Sequence, residues 1–189
     1  MRRSLGRRVR IAGIVLGCLV LLIAGALAFI QSQQPTGFRF SRKSVMKTDV
    51  ASLRACIEDV RELDGWLAHF SSPHDPPKVR FSPVTSGTGA WVERADSITT
   101  ARMTLTEVTE TSARFEVETK GRLGSTTSHA DLSWTGGRTS IEVEYAISAQ
   151  LSGVPRLLWP VADLERRAGP DLERSLAQLE ACAARHASP

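Results

Sequence analysis

HADLSWTGGRTSIEVEYAIS, residues 129–148, is the stretch on which the fold turns. Ala130, Leu132 and Trp134 alternate with His129, Asp131 and Ser133; Ile141, Val143, Tyr145 and Ile147 alternate with Ser140, Glu142, Glu144 and Ser148. A period of two sends every apolar side chain to one face and every polar one to the other. Between the runs, Thr135-Gly136-Gly137-Arg138 accommodates the positive φ angles that a tight hairpin requires. The segment therefore predicts two antiparallel strands with one apolar face, the pattern of a sheet covered on one side.

Downstream the period becomes helical. Leu164, Ala168, Leu172, Leu176, Leu179 and Ala183 form one stripe, and Gly169-Pro170 predicts a kink or break within it. Upstream, Ala113, Phe115 and Val117 alternate with Arg114, Glu116 and Glu118, and further strands are predicted over 98–109, 90–95 and around Val79, Phe81 and Pro83. Ser86-Gly87-Thr88-Gly89 reads as a tight strand turn, since it lacks the strand–turn–helix setting of a phosphate loop. Ser71–Pro77, with three prolines, is a loop. Thr48 or Asp49 can cap a helix from Val50 whose Leu53, Cys56, Ile57 and Val60 share a face. A second short helix is expected over 61–70, and a strand over Phe38–Met46. The order is strand, two short helices, about six strands and a long helix, an α+β arrangement in which the helix covers the apolar sheet face. A curved sheet gripping one helix leaves a cavity between them.

The N-terminus tells a different story. Residues 11–30 carry no charge, directly after Arg2, Arg3, Arg7, Arg8 and Arg10. Twenty helical residues span about 30 Å, the thickness of a bilayer's hydrocarbon core. The expectation is a cytoplasmic basic tail at 1–10, a transmembrane helix at 11–30, a linker at 31–36 and one domain over 37–189. Arginines flanking the span favour an N-in orientation, which places the domain outside the cytoplasm of a plasma or inner membrane. Two other readings stay open: a cleaved signal peptide with its exit at Ala26-Leu27-Ala28, and a lipoprotein signal at Val15-Leu16-Gly17-Cys18. The run is longer than a usual signal core, and twelve apolar residues follow Cys18, so the anchor is the preferred reading. The basic balance belongs to this segment. Of 24 Lys and Arg, five precede residue 11, while none of the 20 acidic residues precedes residue 31. The remainder has 19 basic against 20 acidic residues, a net of −1, which argues against a nucleic-acid surface.

Taken together, the domain resembles the START-like (SRPBCC) superfamily with its helix-grip fold, and within it the bacterial polyketide cyclase/dehydrase-like branch, which includes small membrane-anchored members. The resemblance is carried by the strand leading into Thr48-Asp49-Val50-Ala51-Ser52-Leu53, by Asp59 to Trp66, by Ser86-Gly87-Thr88-Gly89-Ala90, and by Met103-Thr104-Leu105-Thr106-Glu107-Val108. Gly136-Gly137-Arg138-Thr139 and Gly169-Pro170-Asp171-Leu172-Glu173-Arg174-Ser175-Leu176 complete it, with Ser175 where the family often has Gly. It implies a curved antiparallel sheet of six to seven strands around the terminal helix and a hydrophobic cavity, not a particular reaction. Trp91, Met103, Leu105, Phe115, Trp134, Tyr145, Ile147, Trp159, Leu172 and Leu176 are the expected cavity residues. The same fold would make Cys56 and Cys182 neighbours and candidates for a disulfide, which an oxidising compartment permits.

No catalytic constellation is legible. There is no Gly-x-Ser-x-Gly elbow. His69 and His74 flank the proline-rich loop without regular ligand geometry, His129 and Asp131 share the polar strand face, and His186 lies near the terminus. No metal and no cofactor are expected. Tyr145, the single tyrosine, is either a ligand-binding or acidic hydroxyl or a core aromatic. Trp66 is expected to pack between the short helices, and the apolar segment Leu151–Val161 to be a cavity lid, a membrane-touching edge or a plain connection. The leading expectation is a membrane-tethered module that binds a lipid or other apolar small molecule. The alternatives are a cyclase or dehydratase on a hydrophobic substrate, with Tyr145 as acid, and a structural component of an envelope complex.

Overall fold

A computed structural model describes residues 17–22, 25–26, 29, 37–67, 78–122, 124–150 and 161–187. It divides the chain into two units, Met1–Pro35 and Thr36–Pro189. In the first, the described residues are helical and exposed. Among the described residues no helix is long and apolar enough to cross a membrane. The expected basic tail, the linker and the greater part of the expected span at 11–30 lie outside the described residues.

The second unit begins with strand β1 (Gly37–Met46), followed by helices α1 (Val50–Glu58) and α2 (Val60–Trp66). Strands β2 (Lys78–Phe81), β3 (Trp91–Ala95), β4 (Thr100–Val108), β5 (Ser112–Gly121), β6 (Gly124–Gly136) and β7 (Ile141–Gln150) come next, and helix α3 (Val161–His186) ends the unit. The strands form one antiparallel sheet in the order β1-β7-β6-β5-β4-β3-β2. This is the helix-grip arrangement: a seven-stranded sheet with a long C-terminal helix.

Local chemistry fixes the joints. Asp49, not Thr48, caps α1: its carboxylate accepts from the Ser52 amide at 2.8 Å, which holds its pKa below the usual carboxylate range. Asp59 caps α2 through the Arg61 amide at 2.8 Å. The Ser86–Gly89 turn, with Gly87 and Gly89 at φ of +80° and +89°, docks on the α1–α2 joint through Gly87 N–H to the Glu58 carbonyl and Val60 N–H to the Thr85 carbonyl. Gly136 closes the β6–β7 hairpin at φ +143°, where a Cβ would lie 2.5 Å from the Ser140 carbonyl oxygen. Of the kink or break expected at Gly169-Pro170, the break does not occur: α3 is helical on both sides of Pro170. The amide that proline lacks removes one helical bond. Burial of Leu172, Leu176, Leu179 and Ala183, each 3% exposed or less, offsets that loss, because packing outweighs intrinsic propensity in an amphipathic helix. Gly169 also has a packing reason: a Cβ there would lie 2.6 Å from Nη2 of Arg42.

Directly paired residues share a sheet face, so the register lays out the inner face in rows. One row is Phe40, Ile147, Ala130, Phe115 and Leu105; a second, running across all seven strands, is Phe38, Ala149, Ser128, Val117, Met103, Val92 and Phe81. A bulge between Leu105 and Glu107 lets both Leu105 and Val108 face inward. Helix α3 packs on β1, α1 and α2. There Cys56 of α1 and Cys182 of α3 form a disulfide, with Cα atoms 6.1 Å apart. The bridge closes a separation of 126 residues, which in the chain-entropy picture contributes about 4–5 kcal/mol.

We expect Cys56→Ala/Cys182→Ala to lose about 4 kcal/mol of unfolding free energy, measured in denaturant under non-reducing conditions. A loss under about 1 kcal/mol would show that the bridge adds nothing beyond the packing around it.

Candidate functional site

The expected cavity residues fall into four groups, Trp91 forming the last. Met103, Leu105, Phe115, Trp134, Tyr145, Leu172 and Leu176 are all inward-facing and between 0 and 3% exposed. Ile147 is inward and half-buried. Trp159 lies outside the described residues, as do His69, His74 and all but the last residue of the apolar segment 151–161.

Trp91 corrects the sequence reading. It pairs with Thr104, while its neighbour Val92 pairs with buried Met103, so Trp91 is on the outer face. There the Arg102 guanidinium lies 4.4 Å from its ring centroid, and Arg102 itself bonds to Glu93 at 2.7 Å.

Trp66 is the second correction. It does not simply pack between the short helices. Its ring meets Phe115 edge-on at 6.3 Å and Tyr145 at 6.1 Å, and its indole nitrogen donates to the Cys56 carbonyl at 3.1 Å. Phe115 and Tyr145, expected to touch a ligand, are thus covered by a tryptophan from α2. Burial raises the Tyr145 phenol well above its ordinary range, because the phenolate would lose its water. Such a hydroxyl stays protonated across physiological pH and is suited to hydrogen bonding rather than to releasing a proton. Trp134 also has a structural partner, its indole donating to the Glu110 carbonyl at 2.8 Å.

The inner face opens toward the end where β1 begins. In the row that crosses all seven strands, Val117, Met103 and Val92 are 1–5% exposed, Phe38, Ala149 and Ser128 are half-buried, and Phe81 is 41% exposed. In the next row Val79 is 36% exposed beside Arg94, which is tied to Asp64 of α2 at 2.7 Å. Phe38 stacks on Phe40 at 5.2 Å. Phe38 on one edge strand and Val79 and Phe81 on the other are thus apolar side chains on the helix side of the sheet that still reach water. Arg42, also on the inner face, bonds to Glu165 at 3.3 Å and Glu173 at 3.1 Å and so ties β1 to α3. Sequence reasoning missed Phe38, Val79, Phe81 and Val117. The alternation in 78–81 was the available signal.

The outer face has a concavity of about 240 Å³ lined by Arg39, Arg114, Asp131, Glu144 and small residues. Two of its arginines share one carboxylate: Asp131 accepts from Arg114 at 2.8 Å and from Arg39 at 3.5 Å. That pairing also occupies the carboxylate that a His129–Asp131 dyad would need. The histidine that does join a cluster is His186, whose ring lies with Glu62 and the two bridged cysteines on the α1–α2–α3 side.

No protein-family model matches the chain, and no curated protein matches it. Solved structures share its fold. A conserved protein from Geobacillus kaustophilus is 13% identical with a TM-score of 0.60, over 78% of this chain and 96% of its own. Norcoclaurine synthase from Thalictrum flavum, solved in complex with dopamine and hydroxybenzaldehyde, is 13% identical with a TM-score of 0.59, over 84% of this chain and 92% of its own. Protein Ms6760 from Mycobacterium smegmatis, 11% identical, has a TM-score of 0.53 over 78% and 92%. The helix-grip fold is therefore one this chain has in common with all three.

The face assignments separate two aromatic truncations. Phe115→Ala should cost about 3–5 kcal/mol, as a fully buried ring, and Trp91→Ala about 1 kcal/mol or less. Equal losses in chemical denaturation would overturn the placement of Trp91.

Proposed function

We propose that this chain is a member of the START-like (SRPBCC) superfamily that binds an apolar small molecule or lipid at the open end of its sheet–helix interface, held at a membrane by residues 11–30. The observation that carries the reading is the inner-face exposure of Phe38, Val79 and Phe81: apolar side chains, on the core side of the sheet, left in contact with water. Burying one such side chain against a ligand contributes about 1.5–3 kcal/mol. Because Trp66 fills the depth above Phe115 and Tyr145, the ligand occupies the outer part, over Val117, Met103 and Val92. The fold is shared with a synthase solved in complex with two small molecules, which supports a binding role in general.

The charge-free run behind five arginines supports a single-pass anchor with its N-terminus in the cytoplasm. The Cys56–Cys182 bridge supports an oxidising compartment for the domain, in keeping with that orientation. A second reading, a structural component of an envelope complex, is favoured by one observation, the filling of the deep interface by Trp66. A cyclase or dehydratase using Tyr145 as acid has less support, since that hydroxyl is buried and its acidity weakened.

Native mass spectrometry of residues 35–189 from an oxidising compartment, beside a denatured control, tests the reading. We expect an added mass that disappears on denaturation. Phe81→Glu should lower its occupancy about tenfold and leave the unfolding midpoint nearly unchanged, since Phe81 is 41% exposed. A bare protein at its calculated mass, with lipid extracts failing to load it, would favour the structural role.

A further inference from the structure

The cluster around Cys182 holds chemistry that an apolar binding site does not use. Cys182 and His186 are four residues apart on α3, so their side chains leave the same helix face. Cys56 comes from α1 and Glu62 from the first turn of α2. The two sulfur atoms and a ring nitrogen of His186 all lie within 4.8 Å of one another. Glu62 Oε2 is 3.2 Å from Cys182 Sγ, and Glu62 Oε1 is 3.6 Å from His186 Nε2. Arg185 donates to the same carboxylate at 2.8 Å and orients it. Cys56 and Cys182 are 0 and 1% exposed, whereas His186 is exposed, so the cluster is closed on its core side and reachable from solvent on the other.

We propose that the reduced form of this cluster is a four-ligand site for a zinc-class divalent cation, bound by Cys56 Sγ, Cys182 Sγ, His186 Nε2 and a Glu62 carboxylate oxygen. Tetrahedral zinc, about 2.3 Å from sulfur and 2.0–2.1 Å from nitrogen, needs ligand atoms roughly 3.5–3.8 Å apart. The spacings around His186 and Glu62 already bracket that range, and Cα atoms 6.1 Å apart leave two free thiolates room to separate by χ1 rotation. Two thiolates, one imidazole and one carboxylate are a donor set that suits zinc better than the hard cations, which take oxygen. The site and the disulfide exclude each other, because both use the same sulfur atoms. A phosphine reductant supplies the electron pair that breaks the S–S bond, becomes its oxide with oxygen from water, and leaves two thiols. Zinc then displaces the two thiol protons, which go to solvent. Either state ties α1 to α3, and the cation adds α2 through Glu62. The inference does not depend on the apolar-ligand reading; it concerns the reduced chain, a state that the oxidising compartment proposed above disfavours.

The test uses the full chain in detergent with Cys18→Ser, which removes the one free cysteine. Samples oxidised and phosphine-reduced are given zinc, desalted and counted by elemental analysis. One zinc per reduced chain and none per oxidised chain are expected. Cobalt in place of zinc should give the thiolate charge-transfer band and strong visible bands of a tetrahedral site. His186→Ala and Glu62→Gln should each weaken zinc binding at least tenfold, since even loss of a group outside the ligand set typically weakens a site about 10–100-fold. His186 is exposed, so its variant keeps the fold, and a thermal melt of the oxidised variant verifies that. Zinc retained equally by oxidised chains, zinc absent from reduced chains, or binding unaffected by both substitutions would each overturn the site.

Discussion

A single-layer sheet has one face that must be hidden from water, and here the constraint is met by Trp66. Its ring stands edge-on to Phe115 and Tyr145, while its nitrogen reaches back to the carbonyl of Cys56. The same few atoms therefore couple the sheet's centre to α1, and through the Cys56–Cys182 bridge to α3. An aromatic trio adds about 0.5–1.5 kcal/mol per pair beyond simple burial. The larger effect is positional: with Trp66 seated there, the interface above Phe115 and Tyr145 belongs to the core.

This explains what the sequence could and could not convey. Period-two alternation in 113–118, 129–134 and 141–148 placed Phe115, Trp134, Tyr145 and Leu132 on a common face, and the sheet bears that out. The terminal stripe likewise located Leu172, Leu176 and Leu179. Parity, however, does not survive a turn. Between Phe81 and Trp91 the chain passes Gly87 and Gly89 at positive φ, which resets which residues face inward, so Val92 rather than Trp91 joins Met103. Helical period has a similar limit: it says that Trp66 is on an apolar face but not which sheet residues lie opposite. Gly169-Pro170 read as a kink or break because local propensity was weighed alone, whereas the burial of four side chains downstream kept the helix continuous.

The distinction between core and open end also bears on chemistry. A residue with no exposure can shape a ligand's neighbourhood but exchanges protons poorly with it, and Tyr145 is of that kind. The polar groups nearer the opening are Arg42 and Arg94, both engaged by carboxylates of helices, Arg42 by Glu165 and Glu173, Arg94 by Asp64.

Stability is graded along α3 as a consequence. At its C-terminal end the helix is covalently fixed by Cys182, with Leu179 and Ala183 buried beside it. Toward its N-terminal end the ties to β1 are the Arg42 pairs, whose acidic partners are 53% and 65% exposed. Exposed ion pairs contribute about 0–1 kcal/mol each, far less than a bridge closing a long loop. Local opening follows the weakest ties in a structure. Among the described residues, the stapled C-terminal end of the helix is therefore held more firmly than the end tied to β1 by the Arg42 pairs.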